Sequence, residues 1–414
     1  MTLSASTGQR LAPLDMLARL VAFDTVSHKS NLELIAFVED YLASWGVSSI
    51  RIPNATGDKA ALFATIGPPD RGGILLSGHT DVVPVEGQAW SRDPFTLHIE
   101  DGKAYGRGAV DMKGFIALAL ALVPDFLAAD LKTPIHLFFS YDEEVTCLGV
   151  VDGIARMGVD LPKPRAVIVG EPTSLELADA HKGIRTFFTT ITGAAAHSSK
   201  PHLGASAVHG GIRLSAGLVA MADELEARPD GSGRFDPPYD TVHVGKFHGG
   251  IARNILADRC DLSWEVRTLP GSDPEDVPAR FAALSQQVLE RMRKTAPSAT
   301  IETVMSSDVP GLAPDPGSEA ETLVMRLAGR NRTIAVAYAT EAGHFQRAGL
   351  PTMRPLAVPG IASAFSSAIF EKYSKALRSL AGTPSPPAYI RPSLNCAVRW
   401  PCAAAYSSAR TAPA

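Results

Sequence analysis

The chain has 414 residues, of which 45% are hydrophobic, so it is long enough to build two domains of ordinary size, each with its own core. A formal net charge of -4 leaves no basic footprint for nucleic acid, and no charge run marks a membrane-binding tail, which makes a small molecule the expected partner. Cys147, Cys260, Cys396 and Cys402 are too sparse for a disulfide framework and lack the paired spacing of a metal site, as expected in a reducing compartment.

The N-terminus MTLSASTGQRLAPLDMLARLVAF has mixed charge and early helical patterning, without the basic stretch and apolar core of a signal peptide. No apolar run approaches the roughly twenty residues of a membrane-spanning helix. A cytoplasmic protein is expected. Helical patterns cover Leu14 to Phe23 and Leu32 to Trp45, and apolar runs follow at Ala60–Ile66, Gly73–Ser77 and Ile135–Ser140. This alternation predicts an α/β fold with a mostly parallel sheet flanked by helices, whose functional site lies at the strand ends.

From about His181 the pattern changes. A strand RTFFTTITG, a helix ASAVHGGIRLSAGLVAMADELEA, strands TVHVGKF and NILADRCDLSWEVR, and a helix DPEDVPARFAALSQQVLERMRKTA predict a small α+β domain inserted into the larger one. RPDGSGRFDPPYD and VPGLAPDPGSE read as loops. The expected organisation is a catalytic domain over residues 1–180 and 298–352, an inserted dimerisation or lid domain over 181–297, and an atypical segment over 353–414. That last segment is rich in Pro, Ser, Ala and Arg and has little periodicity.

The chemistry-bearing residues follow apolar runs. In LLSGHTDVVPVEGQAW, His79 and Asp81 are two apart and face one side of an extended chain, so Asp81 can support His79 as a metal ligand. Alone, the pair reads equally well as a strand-end cap. In YGRGAVDMKGF, clustered glycines bring Asp111 to a crowded point where a carboxylate can bridge two cations, although an Asp at a helix start is ordinarily a cap. In HLFFSYDEEVTCLG the acids Asp142, Glu143 and Glu144 are consecutive and repel one another unless solvated or neutralised by a cation. Adjacent side chains diverge, which permits separate roles as base and ligand; the plain alternative is a solvated acidic turn. Glu171 in AVIVGEPTS repeats the pattern. Four such segments would meet on one rim of a parallel sheet, where independent surface acids need not all follow buried strands.

These segments, SGHTDVVPVEGQAWSRDPF, YGRGAVDMKGF, SYDEEVTCLGV, GEPT and AHKG, resemble those of the M20 metallopeptidase and deacylase family, in particular its acetylornithine deacetylase branch, over about residues 10 to 350. The resemblance implies a dinuclear zinc amidohydrolase, with Co2+ as a possible substitute. His79, Asp111, Glu144 and Glu171 would be ligands with Asp111 bridging, Asp81 would orient His79, and Glu143 would be the general base. It also implies a homodimer in which His197 of GAAAHSSKPHLGASA reaches the other subunit's site, with Asn254 and Arg267 near the substrate's polar end. Read alone, His197 is a locally satisfied turn histidine and Arg267 a strand-surface ion pair. A serine route is weaker, since no G-x-S-x-G elbow occurs and Ser198-Ser199 lies beside His197 without a placed acid.

The expected substrate is N2-acetylornithine, hydrolysed to ornithine and acetate for arginine synthesis. The alternatives are succinyl-diaminopimelate desuccinylase or another N-acyl-amino-acid hydrolase or carboxypeptidase and, from another class, an inactive metal-binding pseudoenzyme. The last arises because the family pattern continues with C-G-P-G and a ligand histidine, whereas this chain reads MRPLAVPGIASAFSS and has no histidine after His344. A one-base frame shift would account for this: synonymous codons exist for which the shifted frame reads Cys-Gly-Pro at 353 and His at 362, the family's nine-residue spacing. A diverged C-terminus is the alternative.

Overall fold

The computed structural model describes residues 8–173, 176–355 and 364–366. It opens with helices α1 (Pro13–Val21) and α2 (Leu32–Ser44), strands β1 (Ser49–Pro53), β2 (Ala60–Ile66) and β3 (Ile74–His79), and the short pair β4 (His98–Glu100) and β5 (Lys103–Tyr105). Helices α3 (Lys113–Ala121) and α4 (Val123–Ala128), strand β6 (Ile135–Ser140), helix α5 (Val151–Arg156) and strands β7 (Ala166–Val169) and β8 (Leu177–His181) follow. The chain then passes through β9 (Gly183–Thr192), α6 (Ala207–Glu226), β10 (Thr241–Gly249), β11 (Arg259–Thr268), α7 (Asp276–Arg293) and β12 (Thr300–Val309). It returns with α8 (Glu319–Ala328), β13 (Ile334–Val336), α9 (Ala342–Arg347), β14 (Thr352–Pro355) and β15 (Ala364–Ser366).

The main sheet has the order β1-β2-β6-β3-β7-β14-β8-β13. It is parallel at its centre, where β3 lies between β6 and β7 and β14 runs alongside β7, and antiparallel toward β1 and between β14 and β8. Every residue of β3, β6 and β7 is buried, which is why these strands read as continuous apolar runs and not as alternations. All nine residues of α3 are buried, and α1 covers the same side of the sheet with Met16, Leu17, Leu20 and Val21. The result is the expected α/β sheet flanked by helices, with the C-terminal ends of β3, β6 and β7 brought side by side.

The second sheet is antiparallel, in the order β10-β11-β9-β12. Helices α6 and α7 pack on one face, around Trp264, whose ring stacks on Phe187 at 4.2 Å and meets Phe281 at 4.5 Å between centroids. The Trp264 indole N–H donates to Thr189 Oγ1 at 3.1 Å, so the one polar atom of this large core residue is satisfied. The sheet's fourth strand, Thr300–Val309, lies beyond residue 297, so the sheet runs further along the chain than the insert expected from sequence.

Chain entry into this second unit and exit from it are adjacent. His181 and Leu312 exchange backbone hydrogen bonds of 3.0 Å in each direction, and a Cβ placed on Gly183 would lie 2.9 Å from the nitrogen of Gly311. Arg185 on β9 donates to Asp308 Oδ1 at 2.8 Å, and Arg347 on α9 donates to Asp308 Oδ2 at 3.1 Å, tying the exit strand to both units.

Candidate metal centre

His79 is the last residue of β3 and fully buried. Its Nδ1 lies 2.9 Å from the carbonyl oxygen of Asp81 and 3.5 Å from the Asp81 carboxylate, which fixes the ring and turns Nε2 toward the acids. Nε2 lies 3.1 Å from Asp111 Oδ1, 3.7 Å from Glu171 Oε1 and 3.8 Å from Glu143 Oε2. The Asp81 carboxylate also accepts from Ser27 Oγ at 2.7 Å and from the backbone amides of Glu143 at 3.1 Å and Glu144 at 3.3 Å. One buried acid therefore orients the histidine and pins the loop that carries the next two acids.

That loop separates the three consecutive acids. Asp142, at φ 59°, turns away to a 2.5 Å ion pair with Lys59, so its charge is neutralised outside the cluster. Glu143 and Glu144 turn inward. The Cys147 thiol lies 3.5 Å from Glu143 Oε1 and donates to the Glu143 carbonyl at 3.3 Å. In the Asp111 loop, Gly108 adopts φ 76°, and a Cβ there would approach Val82 Cγ1 to 2.5 Å; this is the close backbone path that the clustered glycines imply. Glu171 follows β7 directly, after Gly170.

Two three-residue groups result, His79 with Glu143 and Glu171, and His79 with Asp111 and Glu144; within each, one ligand atom per residue lies within 4.8 Å of the others. Burial, reinforced by the charge of Glu171, raises the Glu143 carboxyl well above the usual carboxylate range. Burial likewise lifts Glu144 to about 7, although the neighbouring His79 opposes the shift. Burial acts to lower His79, but its hydrogen bonds to Asp111 and Asp81 outweigh that, and the imidazole is raised well above its ordinary value. A cation among these groups removes the conflict, since it neutralises the carboxylates and takes Nε2 as a donor. One imidazole and several carboxylate oxygens suit a divalent first-row ion such as zinc.

The residues assigned to substrate lie elsewhere. His197 is exposed on the inserted unit, with Nδ1 2.7 Å from Ser199 Oγ, and its backbone bridges to Ile255. The neighbouring Ser198 amide donates to the Asn254 carbonyl at 2.9 Å, so His197 and Asn254 share one exposed edge. Arg267, at the end of β11, donates to Glu265 Oε1 at 2.8 Å, the strand-surface ion pair of its plain reading. Sequence reasoning missed the surroundings of the cluster. Arg107, half-buried and lowered by burial, feels the charges of Glu144 and Asp111. Lys113 is fully buried, donates to the Phe23 carbonyl at 2.7 Å, and is lowered by burial to about 7. Glu341 lies fully buried behind β3 and β6. Arg107 and Lys113 stood in the quoted YGRGAVDMKGF segment, whereas Glu341 carried no local signal.

The profile of peptidase family M20/M25/M40 matches residues 75–380, most of the chain and every residue of the His79, Asp81, Asp111, Glu143, Glu144 and Glu171 cluster. The chain belongs to that family. Its members are metal-dependent hydrolases, and the fold agrees. A tripeptidase from Staphylococcus aureus superposes with a TM-score of 0.69 at 17% identity, over 91% of this chain and 98% of that one. An M20 family metallo-carboxypeptidase from Sulfolobus solfataricus gives 0.70 at 17% identity, over 90% and 98%. Human carnosine dipeptidase 1 gives 0.67 at 15% identity, over 89% and 96%. At such identities the likeness establishes the α/β fold with its second domain. Among the described residues of this M20 chain, no helix is long and apolar enough to cross a membrane.

Proposed function

We propose that this M20 chain descends from, and is built as, a cytoplasmic homodimeric amidohydrolase that cleaves the amide of N2-acetylornithine, with two zinc positions per subunit. The observation that carries the reading is the convergence of Asp111, Glu143, Glu144 and Glu171 on His79, which offers two alternative three-donor groups for an ion. The acetylated substrate is supported by the segments SGHTDVVPVEGQAW and SYDEEV, which resemble the deacetylase branch.

A bound divalent ion supplies polarisation of the amide carbonyl and acidification of water. The chain's own residues do the rest. Asp81 holds His79 in the tautomer that presents Nε2 to the acids. His79, Asp111, Glu144 and Glu171 are assigned as ligands. Glu143, inside the cluster but assigned to proton transfer, takes a proton from the attacking water and returns it to the departing amine nitrogen. His197, from the other subunit, stabilises the oxyanion, and Asn254 and Arg267 receive the polar end of the substrate.

A second reading, an inactive metal-binding relative, is favoured by one observation: no histidine follows His344, so the ligand of the family's C-terminal motif is missing. Position 362, where that histidine would stand, lies outside the described residues. One experiment separates the readings, namely metal content by mass spectrometry together with hydrolysis of a panel of N-acetyl and N-succinyl amino acids and dipeptides. Two zinc ions per chain with preference for acetylornithine would support the enzyme. Preference for dipeptides would overturn the substrate, and metal without turnover would favour the inactive relative.

A further inference from the structure

We propose that Glu341 is a positioning residue for the metal centre, setting the spacing between the strand ends that carry its donors. Its carboxylate takes one hydroxyl from each of two neighbouring strands: Ser77 Oγ on β3 donates to Oε1 at 2.5 Å, and Ser140 Oγ on β6 donates to Oε2 at 2.8 Å. All three residues are fully buried. Ser77 lies two residues before His79 on the same strand face, and Ser140 pairs with His79 in the parallel register and leads into the Asp142–Glu144 loop. The Ser140 carbonyl also accepts from the Thr80 amide at 2.9 Å and from Thr80 Oγ1 at 2.7 Å. Both strand ends are thus gripped from side chain and backbone.

A glutamine would satisfy the two serines without burying a charge, since a serine hydroxyl can turn to accept from the amide. The carboxylate is hydrogen-bonded by two neutral hydroxyls, and burying it is costly. The geometry accounts for that cost if the negative charge acts on the neighbouring cation site, adding to the field at His79 while belonging to neither donor group. Glu341 also precedes α9, in which Gly343 packs so tightly that a Cβ would lie 1.9 Å from the Pro310 carbonyl oxygen. The exit strand of the inserted unit therefore abuts the helix whose first neighbour holds the metal strands.

The inference rests on the metal-site reading, not on the identity of the substrate. The test is Glu341→Gln in the full chain, assayed by Co2+ titration followed through d–d absorption and by thermal unfolding of the metal-free protein. The expected result is a metal affinity about tenfold weaker with an altered Co2+ spectrum, as for other groups that orient ligands, and a metal-free melting temperature that stays level or rises, since a buried charge is removed. Where turnover is measurable, kcat should fall and KM stay within about twofold. Wild-type affinity and spectrum in Glu341→Gln would overturn the proposal. So would a loss confined to melting temperature, which would mark Glu341 as a packing residue. Glu341→Ala, which releases both serines, should weaken Co2+ binding further; if it fails to fold, Glu341→Gln alone decides.

Discussion

The Asp81 carboxylate accepts from Ser27 and from two amides of the acidic loop while its backbone carbonyl holds His79, so several functions converge on one residue. The same crowding separates Glu143 from Glu144. If Glu143 moves protons and is not a ligand, Glu143→Gln should lower turnover at least 10²-fold, with metal content unchanged by mass spectrometry; loss of metal would exchange the two assignments. Glu144 gives a pH signature. Burial raises its carboxyl from 4.5 to about 7, so between those values the folded chain binds more protons than the unfolded one, and this group's contribution to metal-free stability declines as pH rises. Glu144→Gln should match wild type near about pH 5 and exceed it near about pH 8 by on the order of 2 kcal/mol, measured by urea denaturation in chelator. Equal gaps at both pH values would reject the assignment. His79 with Asp81 and Glu143 with Glu144 were legible in the sequence because each pair is local. Glu341 was not, since its serine partners lie 264 and 201 positions away.

Among the elements, Ala60–Ile66 and Ile135–Ser140 have the bounds that their apolar runs announce, and β3 extends the expected run to His79 itself. Burial on both faces writes a strand plainly. Pairing leaves no such mark: nothing in IAV or TMRP tells that β13 and β14 close the sheet beside β8, because three or four residues carry too little periodicity. β12 was equally silent about its partner, as TIETVMSSDV fits either sheet until its pairing with β9 is seen. The packing behind β7 yields a test. A Cβ on Gly170 would lie 2.2 Å from Phe115 Cγ on α3, so either the aromatic ring or the segment leading to Glu171 must shift. Gly170→Ala should destabilise the protein by about 1–3 kcal/mol in denaturant titration and weaken metal binding through the displaced Glu171. Full metal affinity in a destabilised variant would show that the ring yields and the ligand does not.

For the whole molecule, the inactive-relative reading turns on the absence of any histidine after His344. With His79, Asp111 and one carboxylate available, one position has three protein ligands, and the other is left with fewer than catalytic zinc ordinarily takes. On the inactive-relative reading the chain should therefore show at most one tight zinc by equilibrium dialysis and little deacetylase activity, and restoring the shifted frame from Met353 should recover both. Two zinc ions and full activity in the chain as it stands would overturn this. If sites are shared across a dimer, mixing His197→Ala with Glu143→Gln subunits should restore activity that neither has alone; a fully active monomer that resists dilution would reject the shared site. The adjacent crossings at His181–Gly183 and Val309–Leu312 bear on how such a molecule can change over time. A unit that enters and leaves at one point, with its own aromatic core around Trp264, closes almost no loop in its host. It is a detachable cassette. Replacing residues 184–310 by a short glycine bridge should leave a body that still folds cooperatively, so an ancestor could have gained, lost or exchanged the insert without rebuilding the strands that hold the metal.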